Sequence, residues 1–240
     1  MDTVRTQPGP LAVNTNVSST AFYNRIQNNR ALLIRLGIAF ALAVVVIGGL
    51  SFLFVHRSNV ASAELADAMR TYDTPINTPD QPVPPGTKSF SSLEERARVS
   101  NGQFASIADH YGMTVAGRNA QYLQGVTALQ MGQNATAETL LKKSADSWNR
   151  DVATLAEIAL AGMYRGSGRD ADAIAMYQKI AAKPSTVVPA GLARLQLAEL
   201  YEGTNKPDQA KKIYAEIKDK DPKSAAADIA TQKLSGAPAR

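Results

Sequence analysis

The run Leu36–Val55, LGIAFALAVVVIGGLSFLFV, restricts this chain more than any other stretch, because it is 20 residues without a charge. At 1.5 Å per residue, a helix of that length covers the roughly 30 Å hydrocarbon core of a bilayer. The run predicts one transmembrane helix within 31–57. It starts too deep, and is too long, for an ordinary signal peptide. The small-residue pattern Ala61-Ser62-Ala63 leaves cleavage as the competing reading. A buried soluble helix fits poorly, since no polar face interrupts the run. Arg25, Arg30 and Arg35 precede the span, whereas only His56 and Arg57 follow it directly. By the positive-inside rule, the N-terminus stays in the cytoplasm and the large C-terminal part lies across the membrane.

The charge belongs mainly to that flank. The sequence pI is about 9.4, which on its own would suggest nucleic acid. Residues 1–57 hold five Lys/Arg against one Asp, leaving 21 against 20 for the remaining 183 residues. The large part is therefore nearly neutral, and no nucleic-acid partner is expected. The chain has no cysteine. That removes disulfides, thiolate metal sites and thiol nucleophiles.

Residues 1–30 are expected to be a cytoplasmic tail, disordered over 1–20 where Pro, Gly, Asn and Ser dominate, with a short polar helix over Ala21–Arg30. Residues 58–70 predict a juxtamembrane helix. Residues 71–90 hold five of the chain's twelve prolines, which predicts an extended, semi-rigid spacer. From 91 to 235 helical periodicity prevails. Ser92 with Glu95 forms a capping-box start. Ala97, Phe104, Ile107, Ala108 and Tyr111 fall on one helical face, and Gly112 ends that helix. Residues 236–240 are a tail.

Three helix pairs then repeat. Gly125, Ala161 and Ala198 are small residues 36 and 37 apart. Seven residues after each comes a turn residue (Gly132, Gly168, Asn205), and twelve after, an alanine (Ala137, Ala173, Ala210). Sixteen after stands Leu141, Tyr177 or Tyr214. Three after stands Tyr164 or Tyr201, but Ala128 in the first unit. A small residue lets paired helices approach closely, and the glycines suit left-handed helix ends. Asp170 and Asp208 suit the starts of the second helices. Trp148 is expected to pack over the seam between repeats.

This pattern resembles the tetratricopeptide repeat. The resemblance implies an all-α fold: a helical solenoid of about three repeats, with a leading helix at 92–111 and a capping helix at 224–234. It also implies a protein-binding groove on the first helix of each pair. Residues placed there are Tyr122, Val126 and Leu129; Leu155, Ile158, Gly162 and Arg165; and Leu192, Leu195, Glu199 and Glu202. Packing of several of these leucines against the next repeat is the competing expectation. In relatives that clamp a C-terminal carboxylate, the groove carries Lys, Asn and Arg. Tyr122 and Val126 occupy two of those places, so an apolar peptide or helix is the better-fitting partner.

Nothing in the sequence assembles chemistry. The two histidines, His56 and His110, do not pair at metal-ligand spacing, and no phosphate, dinucleotide or nucleophile-elbow motif is present. Glu199 and Glu202 could form a carboxylate pair but fit solvated groove positions better. A non-enzyme without cofactor, metal or small-molecule substrate is expected. The layout of basic tail, single span and repeats, with the segments Leu197–Tyr201 and Ala210–Ile217, resembles the YfgM-type translocon-subunit and cell-division-coordinator family. That resemblance implies a bacterial inner-membrane protein with a periplasmic domain beside the Sec translocon. It would help hand secreted clients to chaperones. A scaffold for envelope assembly or division with one fixed partner is the alternative.

Overall fold

The structure is a computed structural model that describes residues 30–80 and 82–236. The sequence expectations for the tails before Arg30 and after Gly236 lie outside the described residues. Nine helices occur among the described residues: α1 (Arg30–Tyr72), α2 (Leu93–Tyr111), α3 (Val115–Gln130), α4 (Asn134–Ala145), α5 (Arg150–Gly166), α6 (Asp170–Ala182), α7 (Ala190–Gly203), α8 (Pro207–Lys220) and α9 (Ala225–Ser235). Two compact units divide the chain, Met1–Val55 and His56–Arg240.

In the first unit, the described residues belong to α1, and every residue from Leu36 to Val55 is exposed. Leucine, isoleucine, valine and phenylalanine facing outward all round a helix match a lipid environment and no aqueous one. The helix is long and apolar enough to cross a membrane.

The second unit is a stack of antiparallel helices built as the repeat pattern requires. Ala161 and Ala198 are fully buried, as are Ala137 and Ala173, and Ala210 is nearly so. Leu141, Tyr177 and Tyr214 fill the wedge between paired helices. Each such burial contributes roughly 2–3 kcal/mol. Gly125 marks the tightest approach: a Cβ there would stand 2.8 Å from Leu141 Cδ2.

The three intra-repeat turns are copies of one hydrogen-bond design. Gly132, Gly168 and Asn205 have φ of 71°, 72° and 58°. In each turn the next residue's N–H reaches back five places: Gln133 to Ala128 O, Arg169 to Tyr164 O and Lys206 to Tyr201 O, at 2.8–2.9 Å. This is the Schellman arrangement, in which a left-handed residue closes the helix end. Asp170 and Asp208 lie in the first turns of α6 and α8, where their charges face the positive helix end. Neither is the capping residue; Arg169 and Lys206 precede the helices without a side-chain cap. Ser92 and Ser224 do cap α2 and α9, accepting from Glu95 N and Ala227 N. Glu95 accepts from the Ser91 hydroxyl at 2.5 Å and from Ser91 N–H at 3.0 Å instead of from Ser92, and these bonds, the hydroxyl's first, hold its carboxyl below the usual range.

Residues 58–70, expected as a juxtamembrane helix continuing from the span, are the last part of α1, and they pack into the second unit. Ala68 is buried with Phe104, Ile107 and Ala120, while Leu65, Met69 and Tyr72 pack around them. Tyr72 meets Phe104 edge-on at 6.0 Å and accepts a bond from Gln130 Nε2 at 2.8 Å. The end of α1 thus packs against α2, the leading helix. Residues 71–90 depart from the expected extended spacer. Asn77 N–H donates to Phe90 O at 2.8 Å, and Phe90 N–H to Pro75 O at 3.0 Å. Arg96 donates to Thr74 O at 3.2 Å. The prolines bend a loop whose ends are tied together, because α2 must return alongside α1.

Candidate protein-binding face

The first helices of the three pairs, α3, α5 and α7, carry the predicted groove residues. Tyr122, Val126, Leu129 and Ile158 are half-buried and packed against the core of Leu141, Leu160, Tyr164 and Tyr177. Leu155 is half-buried against Ile180, Val188 and Ala193. Gly162 and Arg165 are exposed. Leu192 is 41% exposed, whereas Leu195 is 6% exposed. Leu195 is therefore a core residue, packed with Tyr214 and Ile217, and its assignment to the groove is corrected. An apolar side chain that seals one repeat onto the next has little surface left for a ligand.

The two glutamates each stand beside a cation. Glu199 lies 3.8 Å from Arg165 Nη1 and accepts from Gln196 at 3.2 Å. Lys233 of α9 donates to Glu202 at 2.8 Å, a contact that raises the lysine's pKa. Tyr214 beneath them is pushed up to about 12, chiefly by burial and then by the charge of Glu202. A cation beside each carboxylate leaves this end of the face near charge balance. The arrangement offers hydrogen bonds to a polypeptide but no acid–base pair. Among the described residues, no group of three His, Asp or Glu could hold a metal.

One polar cluster went unanticipated. Glu138 of α4 accepts from Arg169 at 3.0 and 3.1 Å and from Tyr164 at 3.1 Å, and pairs with Lys142 at 2.7 Å. These partners, Lys142 first, lower its carboxyl to about 2. Beside it lies a cavity of about 490 Å³ lined by Leu129, Asn134, Met163 and Ser167 among others. The Glu138–Lys142 spacing is visible in sequence, but Arg169 joins it across 31 residues. Trp148 also departs from expectation. It is 61% exposed and, with Asn149, Pro184 and Thr186, lines a surface cavity between the loops 146–149 and 183–189.

Comparison with known families and structures agrees with this geometry. A tetratricopeptide-repeat family model matches residues 192–224, which are α7, α8 and the turn into α9. A crystal structure of a kinesin light chain from Podosopora anserina, with nearly identical TPR-like repeats, superposes with a TM-score of 0.51 at 11% identity. The match covers 75% of this chain and 85% of that one. No curated protein matches. The chain thus carries a tetratricopeptide repeat within an all-α, TPR-like helical array, preceded by a helix fit to span a membrane.

Proposed function

We propose that this protein is a membrane-anchored module that binds other polypeptides through the α3–α5–α7 face. The observation that carries this is the helix α1, whose apolar run leads without a break into the helix that packs on α2. Partner capture would then occur at high local concentration beside the membrane. The half-buried row Tyr122, Val126, Leu129 and Ile158 favours an apolar segment, and the Arg165–Glu199 and Glu202–Lys233 pairs favour a polar rim next to it. The basic flank Arg25, Arg30 and Arg35 favours a cytoplasmic N-terminus with the array on the far side of a bacterial inner membrane. In that setting the protein serves as an ancillary subunit of the Sec translocon, passing emerging chains to chaperones.

Photo-crosslinking from Tyr122, Leu129 and Leu192 in cells tests this, with the exposed Lys211 on α8 as control. Adducts containing translocon subunits and secreted clients are expected. Adducts with one fixed envelope or division protein would support a scaffold instead. No adducts beyond those of Lys211 would remove the face assignment. Protease added to spheroplasts should digest the array, and protection would reverse the orientation.

A further inference from the structure

The antiparallel order places every second loop of the His56–Arg240 unit on one edge. Helix α1 enters the unit at that edge: the Arg57 guanidinium donates to His110 O, and Tyr111 donates to Glu64 at 2.7 Å. The loop 112–114 is therefore level with the start of the unit. Helix α3 leads away and α4 returns, so loop 146–149 joins the same edge, and loop 183–189 follows by the same alternation. The last two adjoin directly. Arg150 donates to Lys183 O, and Thr186 donates to Asp151 through its hydroxyl at 2.8 Å.

This edge carries the most exposed large apolar side chains of the unit. Met113 is 80%, Trp148 61%, Val187 49% and Val115 45% exposed. The opposite edge is different. Its turns centre on Gly132, Gly168 and Asn205, with Gln133, Arg169 and Lys206 beside them. A soluble repeat array has no reason to gather its bare methionine, tryptophan and valines on one edge. Tryptophan has an apolar body and one N–H donor, a combination enriched at the level of lipid headgroups. Exposed Lys143, Lys183 and Lys223 lie at the helix ends on this edge, where they can meet lipid phosphates. The apolar run ends at Val55, one residue in sequence before His56.

We infer that this edge is a second membrane contact, with Met113, Trp148 and Val187 seated in the headgroup layer of the bilayer that holds the anchor. The inference rests on the anchored reading above. A docked edge restricts how the array turns about its tether and leaves the α3–α5–α7 face open to partners.

The chain's single tryptophan makes the test direct. The full protein is reconstituted into vesicles of phosphatidylethanolamine and phosphatidylglycerol, with or without bromine-labelled acyl chains. Flotation after alkaline wash reports the anchor independently. Trp148 emission should shift to the blue and lose intensity to the brominated lipid, because a ring at headgroup depth lies close to the labelled chains. In a W148F/Q133W variant, which moves the reporter to the opposite edge, emission should be unquenched. Met113→Ser with Val187→Ser should weaken the quenching of Trp148. If the protein floats but Trp148 is quenched no more than the tryptophan of W148F/Q133W, the edge contact is wrong and the anchor stands. If the protein does not float, both fall.

Discussion

The guanidinium of Arg169 stacks over the Tyr164 ring, 4.1 Å from its centre, and both side chains end on the carboxylate of Glu138. One residue from each of two helices and one from a turn thus converge on one acid between the first and second repeats. The carboxyl of Glu138 is lowered from 4.5 to about 2. A lowered folded-state pKa means its stabilisation is complete above about pH 4.5 and is lost as the pH falls towards 2. The wild type should therefore melt higher than Glu138→Gln at neutral pH, by an amount worth about 1 kcal/mol for so accessible a network. Thermal melts at stepped pH should show that gap closing between pH 5 and pH 2. A gap independent of pH would mean that the carboxylate charge contributes nothing.

The close approach of α3 and α4 at Gly125 predicts a cost for the smallest possible addition. Gly125→Ala puts a methyl 2.8 Å from Leu141 Cδ2 and 2.9 Å from its Cγ. Overpacking of this kind costs about 1–3 kcal/mol. Urea denaturation should register it, and Leu141→Val should recover part of the loss when combined with Gly125→Ala. No recovery would place the strain elsewhere.

The three left-handed turn positions should respond unequally to substitution. Gly132→Ala and Gly168→Ala force a β-carbon into positive φ, at about 1–2 kcal/mol each. Asn205 already accepts φ of 58°. Asn205→Gly should therefore leave the melting temperature nearly unchanged or slightly raised, while the two alanine variants lower it.

Glu157 of α5 is fully buried. It faces Lys179 at 3.0 Å and Arg150 at 3.3 Å, linking two helices of one pair. The acid is buried while Lys179 and Arg150 reach solvent, so the damaging change is the one that strands the acid without its cation. Lys179→Met should destabilise by about 2 kcal/mol, and Lys179→Met with Glu157→Gln by less than the sum of the two single changes, as chemical denaturation of the three variants would show.

Much of the fold is legible in the chain because its signals are local. A glycine or asparagine at fixed distance from a small residue specifies a turn by sterics alone, and Gly132, Gly168 and Asn205 sit where that spacing puts them. The apolar run is legible for the same reason, since length and the absence of charge need no tertiary information. What was hidden depends on pairing between distant segments. Nothing in residues 58–70 signals that Ala68 lies under Phe104, because the faint apolar stripe there suits a free helix equally well. The prolines of 71–90 fit a spacer or a bent loop, and the ties between Asn77 and Phe90 decide it. In the candidate face, helical periodicity gave the helix side of Leu195 but not which neighbour would cover it. A residue facing its own second helix and one facing solvent differ by less than one helical step.

The burial of Ala61 and Ala68 has a consequence for how this protein could ever leave the membrane. A protein tethered by a floppy leader can be shed by one cut, and its working part is unharmed. Here Ala61 is fully buried and Ala68 nearly so. Cleavage near Ala61-Ser62-Ala63 would split a helix that shields Phe104 and Ile107. A fragment starting at residue 73 should expose that apolar surface and melt lower and less cooperatively than one starting at His56, as calorimetry of the two fragments would reveal. Anchor and folded core share one helix, so release would cost the array its first layer.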